Sequence, residues 1–399
     1  MRKTGTRLAA VAAVALLALI WLGCGNEFRP VATPTFPPGG DPQGQRQAVA
    51  VNNAGGAIGS TTHINVSGDT VVGSHTTGKG PVHAGTTPGG GRIFVANKDD
   101  DSVTTYLTFL ASALPTTISL PVGSVPVFAH TTQASRMYIA NSGTGTVGVI
   151  DVNTNVLTDL VGVGSNPVSL AEMPGGSKLY CVNQGSNDVT VISTVDKLVV
   201  ATIPVGNLPS FAVSNDTGAF IFVANQGDGT VSVIDTATDL VTATLTVASP
   251  TGAPNFLFFD NSLKRVYVTN SGDGTVSIIR TDVSPPPVVL GTPVTVGTTP
   301  LSVTALADGS RAYVANSGSN TVSVINTSNN TVSKTIAVGT NPVSIASSSD
   351  STKVYVANRG SNNISVIRTS NDTELTDNNG QPVRIPSTSP QPVWVLSVP

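Results

Sequence analysis

Few side chains in this chain are able to do chemistry, and their spacing decides most of what they could do. The histidines are His63, His75, His83 and His130. His83 and His130 stand two and four residues after Pro81 and Pro126. If those segments are strands, a period of two turns both imidazoles to the same side, where they could contact a ligand or a metal. The residues two places after the matching prolines are Phe128, Ser169, Phe211, Phe256, Ser302, Ser344 and Trp394. They supply no third ligand, and a zinc-type site needs three or four, so neither metal nor cofactor is expected. Glu172, read as the only acidic residue on these segments, is the remaining candidate beside the two histidines.

Other motifs fail on context. Gly73-Ser74-His75-Thr76-Thr77-Gly78-Lys79-Gly80 matches a phosphate-binding loop until its last position, where Gly80 replaces the Ser or Thr that would hold magnesium. Gly143 to Gly148 satisfies G-x-G-x-x-G, but no helix follows to receive a phosphate. Asp99-Asp100-Asp101 lacks the alternating oxygen ligands of a calcium loop and reads as a solvated turn. Cys181 occupies a position that is Val in Val95, Val223, Val268 and Val314, so a buried, inert thiol is expected. The chain has no G-x-S-x-G and no H-E-x-x-H. With catalytic sets missing, the residues alone point to a binding or scaffold module in preference to an enzyme.

The elements that must position these residues come from a repeat. The 399 residues include 40 Gly and 27 Pro, and only 11% are charged. A hydrophobic fraction of 39%, rich in Val and Ile, argues against disorder and for short strands joined by tight turns. Asn97, Asn141, Asn183, Asn225, Asn270, Asn316 and Asn358 recur at intervals of 44, 42, 42, 45, 46 and 42 residues. Asn52, in A-V-A-V-N, adds a weaker eighth copy 45 residues before Asn97. One Asn per copy, where strand b enters a hairpin, is what a structural role requires. Each unit reads as four strands, a to d. Units of this length that cannot bury both faces alone form β-propellers. The fold expected is all-β, an eight-bladed propeller, with seven blades as the alternative. The first unit lacks a strand a, and P-Q-P-V-W-V-L-S-V-P (390–399) reads as a lone strand a that would complete it and close the ring.

The units Y-V-A-N-S-G-S-N-T-V-S-V-I-N (313–326) and Y-V-T-N-S-G-D-G-T-V-S-I-I-R (267–280), with V-G-x-x-P between copies, resemble the YVTN family of propeller repeats. That family implies a surface-layer-like or YncE-like protein that binds or scaffolds in the cell envelope, with no settled reaction. Some related propellers are lactonases, which makes a hydrolytic enzyme with its site at the channel mouth the alternative function.

The N-terminus reads as an address. Arg2, Lys3 and Arg7 precede an apolar run, Leu8 to Leu22, too short for a comfortable membrane span. Ending in Trp21-Leu22-Gly23-Cys24, residues 1–23 resemble a bacterial lipoprotein signal peptide, with an uncleaved signal anchor as the other reading. The resemblance implies lipid on Cys24, export, and anchoring at the outer membrane or cell surface. Residues 24–46 would be a Pro- and Gly-rich tether, and 47–399 the propeller. Without residues 1–23 the chain carries 17 basic against 23 acidic residues, which disfavours nucleic acid. The partners expected are the membrane, through that lipid, and an envelope protein or glycan, with the propeller a monomer.

Overall fold

The computed structural model describes residues 46–108, 114–283 and 286–398. Residues 1–45, and with them Cys24 and the signal peptide, lie outside the described residues. Among the described residues the strands form eight sheets, and every ladder is antiparallel. Each sheet is one blade of a propeller with strands in the order a-b-c-d. In blades 6 and 8 the outermost strand is broken in two, Val288–Val289 with Val294–Thr295 and Thr373–Glu374 with Arg384–Pro386.

The ring closes as the repeat requires. Blade 1 takes strands b, c and d from the N-terminal side, Gln47–Asn52, Ile58–Asn65 and Thr70–Lys79, and strand a from the C-terminus, Pro392–Val398. Gln47 pairs with Val398 and Val51 with Trp394. The ladder continues into the loop, where Asn53 and Ala54 donate their N–H groups to the carbonyls of Gln391 and Pro390, both at 2.9 Å. The inner strands of blades 2 to 8 are Pro81–Thr86, Pro126–His130, Pro167–Glu172, Pro209–Ser214, Pro254–Asp260, Pro300–Ala305 and Pro342–Ser347. Each packs against the next, and the last against Pro392–Val398, which packs in turn on Pro81–Thr86.

Alternating Val and Ile on strands b and c feed both faces of each blade, so the core lies in the seams. The cluster between blades 7 and 8, for instance, joins Tyr313, Val322 and Val324 to Val354, Val356 and Ile367. Each such side chain contributes about 1.5–3 kcal/mol when fully buried. No single blade could hide both faces, which is why the repeat works only as a ring.

Polar side chains of the repeat hold the blades in register. The recurring Asn at the end of strand b is fully buried in all eight copies. In four copies its Nδ2 donates to hydroxyls five and seven residues on, as in Asn316 to Thr321 (3.1 Å) and Ser323 (3.0 Å) and Asn225 to Thr230 and Ser232 (both 2.9 Å). These asparagines are not left-handed. That conformation falls four places later, at Asp101, Asn187, Asn320 and Asn362. The V-G-x-x-P glycine fits against the same Asn: a Cβ on Gly339 or Gly206 would lie 2.5 or 2.6 Å from Cγ of Asn358 or Asn225.

A second device crosses the outer part of the seams. Lys178 Nζ donates to the carbonyl of Thr236 in the next blade (2.8 Å) and pairs with Asp239 (2.7 Å), whose other oxygen accepts the Tyr180 hydroxyl at 2.7 Å. Arg311 and Tyr313 repeat this with Thr369 and Asp372, and Lys353 and Tyr355 with Val66 and Asp69.

Candidate functional site

The inner strands carry the residues singled out from sequence. All eight begin with a proline and bulge immediately after it. Two residues past the proline, Trp394, His83, Phe128, Phe211 and Phe256 meet as a closed circuit of rings with centroid separations of 4.3, 3.9, 5.7, 4.5 and 6.3 Å. Aromatic rings therefore plug the channel at this level. His83 Nδ1 accepts the N–H of Ala129 on the next inner strand at 3.2 Å. Ser169, Ser302 and Ser344 do the same for Ala212, Ile345 and Val395 (3.3, 3.3 and 3.1 Å). His83 is thus part of the ring's own bonding. Burial among apolar rings, with His130 adding a second and smaller effect, pushes its pKa down to about 3; burial takes His130 to about 4.

Glu172 does not join the histidines in a mouth site. Its carboxylate accepts the Thr132 N–H and Gln133 Nε2, both at 2.6 Å, and so ties blade 4 to the a–b turn of blade 3. It is also not alone on the inner strands, because Asp260 ends that of blade 6, where burial raises its pKa. The acidic run is a turn with Asp99 and Asp100 exposed, and two of its carboxylates are bonded to backbone N–H groups as well. Asp100 accepts the Lys79 N–H (2.7 Å), and Asp101 accepts those of Gly123 and Val125 (both 2.7 Å), so the hairpin bridges two d–a loops. His63 and His75 lie in the seam between blades 1 and 2 against Tyr106. Between them, His63 and Gln47 share a 2.7 Å hydrogen bond, Tyr106 donates to Thr61 at 2.8 Å, and His75 stacks on Tyr106 at 4.1 Å. Cys181 is buried and its thiol donates to Asn183 Oδ1 at 3.5 Å, while burial raises its pKa. Among the described residues no three His, Cys, Asp or Glu side chains converge.

A different group of residues forms an open cavity of about 540 Å³ where the b–c hairpins and d–a loops meet the channel. Blade 1 contributes Asn53, Gly55 and Gly56, together with Gln391 and Val393 from the C-terminal segment. Lys98, Asp99 and Val82 come from blade 2, and Arg359 from blade 8. Val82 and Val393 directly precede His83 and Trp394, so the cavity lies beside the aromatic plug. Lys98 pairs with Asp99 at 2.8 Å, with both side chains partly exposed. Arg359 has only a 3.5 Å contact to Gln391 Oε1 and no carboxylate within ion-pair distance among the described residues.

The cavity exists because blade 1 departs from the repeat. Its b–c hairpin is three residues longer: Asn52 bonds Ser60 and Thr62, eight and ten residues on. The extra chain forms a short 3-10 turn, Ala54–Gly56, with Ala54, Gly55 and Gly56 all at positive φ (54°, 69° and 88°). For Ala54 that conformation is strained, a feature that collects at functional sites. Sequence reasoning passed over this site, although one column of the repeat signals it. The residue after the recurring Asn is Ser or Gln in five copies, but Asn53, Lys98 and Arg359 in the other three.

No family model matches the chain, and no curated protein matches it in sequence. Solved structures share its fold. The chain resembles dihydro-heme d1 dehydrogenase NirN with a TM-score of 0.69 at 12% identity, over 89% of this chain and 75% of that one. AztD from Citrobacter koseri gives 0.65 at 13% identity, over 89% and 98%. Hydrazine synthase from Kuenenia stuttgartiensis gives 0.60 at 20% identity, over 73% and 96%. Two of these are named as catalysts. The sequence-based preference for a protein without enzymatic activity is therefore overturned: this architecture hosts catalysis, and the mouth holds the titratable side chains that such a preference assumed missing.

Proposed function

We propose that the cavity between blades 8, 1 and 2 is the working site of an envelope-anchored propeller and takes a small anionic ligand. One observation carries this reading. Of the three cationic side chains on the described b–c hairpins and d–a loops, Lys79, Lys98 and Arg359, two line this cavity and the third belongs to the loop between blades 1 and 2. The other charged residues on those loops are aspartates, such as Asp228 and Asp273. Asp99 to Asp101 of the blade 2 hairpin offset much of that charge, so the attraction for an anion is local to Arg359, which no carboxylate among the described residues pairs. The volume is within the range of small-molecule sites. Calorimetric titration with acetate and sulfate tests the reading. Binding that falls about tenfold in Arg359→Gln is expected, and no binding of either anion at low salt overturns it.

The Asp99–Lys98 pair favours a second reading, turnover at the same mouth. A carboxylate and an ammonium in contact can pass a proton. Hydrolysis of a lactone adds water across the ester bond and leaves a hydroxyl, a carboxylate and one proton. A pH-stat assay on simple lactones should show acid release that is lost in Asp99→Asn; equal rates in both proteins remove this reading.

The repeat resemblance and residues 1–24 support placement in the envelope as a lipoprotein of YVTN type. Labelling cells with radioactive palmitate should mark the protein, and Cys24→Ser should abolish the label. Retained label in that variant excludes the anchor.

A further inference from the structure

We infer that the ligand class of the mouth site is a polyhydroxy carboxylate, of which a hexuronate is the simplest probe. This rests on the anionic-ligand reading above and extends it, because the cavity offers groups that a bare anion would not use. Arg359 presents a guanidinium with no carboxylate partner among the described residues, and its planar fork suits a carboxylate held by two N–H groups. The other wall presents an acceptor. Asp99 uses Oδ1 for Lys98, while Oδ2 lies over two glycines: a Cβ on Gly56 would be 3.1 Å from it, and one on Gly80 only 1.9 Å. Both glycines are at positive φ, so the loops give this oxygen room at positions that side chains disfavour.

A free carboxylate oxygen repels a simple anion but accepts from a hydroxyl, so it selects ligands that carry donors as well as charge. Gln391 Nε2 adds a neutral donor; a Cβ on Gly55 would be 3.8 Å from it. Asn53 serves the loop itself, its Nδ2 donating to the Pro81 carbonyl (2.9 Å) and its Oδ1 accepting the Gly56 N–H (2.9 Å). Half-buried Val82 and Val393 give an apolar surface for ring C–H groups. Charge at Arg359, hydroxyl recognition at Asp99 and an apolar wall between them describe a sugar acid.

The test is calorimetry on the purified full chain with galacturonate, galactose, acetate and sulfate. Galacturonate should bind at least about tenfold more tightly than galactose or acetate, and Arg359→Gln should cost about tenfold. Asp99→Asn should weaken galacturonate about tenfold while leaving acetate binding within about twofold. Melting temperatures within about 2 °C of the parent establish that both variants are folded. Acetate and sulfate binding as tightly as galacturonate, with Asp99→Asn without effect, overturns the sugar-acid assignment and leaves a plain anion site. Galactose binding as tightly as galacturonate overturns the role of Arg359. If none of the anions binds, the anionic-ligand reading falls as well.

Discussion

The tyrosines of strand b separate a residue's burial from its bonding. Tyr180 and Tyr313 are fully buried and donate to Asp239 and Asp372, whereas Tyr267 is as buried but among the described residues its hydroxyl has no carboxylate to donate to, only Arg265 beside it. Tyr180→Phe and Tyr313→Phe should each lower stability by about 1–2 kcal/mol in urea denaturation, while Tyr267→Phe should be neutral or stabilising. Equal effects at all three would mean that packing alone holds these rings. The histidines make a second prediction at this scale. Burial is the main cause of the low values at His63 (about 3), His83 (about 3) and His130 (about 4), and it lowers His75 as well. Because the folded values lie below the unfolded 6.5, the unfolded chain takes up protons first. The histidines' share of stability is therefore complete above pH 6.5 and falls as the pH drops toward 4. A urea midpoint that stays constant from pH 7 to 4.5 contradicts this.

At the scale of the element, the hairpin after strand b and the glycine loop behind it are one device. Gly206→Ala places a Cβ 2.6 Å from Asn225 and should cost about 1–3 kcal/mol, whereas Gly162→Ala, with nothing within 4 Å, should be almost silent. Thermal melts of the two variants side by side check this. The positions of these elements were legible in the chain, because the Asn spacing, the prolines and the Val-rich runs recur in every copy. The mouth was not. Its walls are residues 53, 55, 56, 82, 98, 99, 359, 391 and 393, most of which periodic reasoning treats as turn filler, and they converge only once the ring is closed. His83 and Glu172 misled for the opposite reason. Polar residues on an inner strand look like ligands in sequence, yet each bonds the neighbouring blade: His83 takes the Ala129 N–H of a strand and Glu172 the Thr132 N–H of a turn.

For the whole molecule, closure depends on one strand. Deleting residues 390–399 removes the ladder from Gln47 to Asn52 and two loop hydrogen bonds. It also uncovers Val49, Val51 and their seam. The melting temperature should fall by well over 10 °C, with loss of cooperativity, since a 1 kcal/mol loss shifts a domain of this size by only a few degrees. An unchanged melt would mean that seven complete blades hold the eighth without its inner strand.

That the innermost strand of the first blade is synthesised after every other described strand sets a timetable. Until residues 392–398 leave the ribosome, the strand Gln47–Asn52 keeps an unpaired edge, and the ring has a gap at the place where the mouth cavity will form. A polypeptide ended before residue 392 would have nearly all of its core and neither a closed ring nor a complete mouth cavity. The fold thereby marks its own truncated products with an open, sticky edge, the feature by which chaperones and proteases distinguish unfinished chains from finished ones.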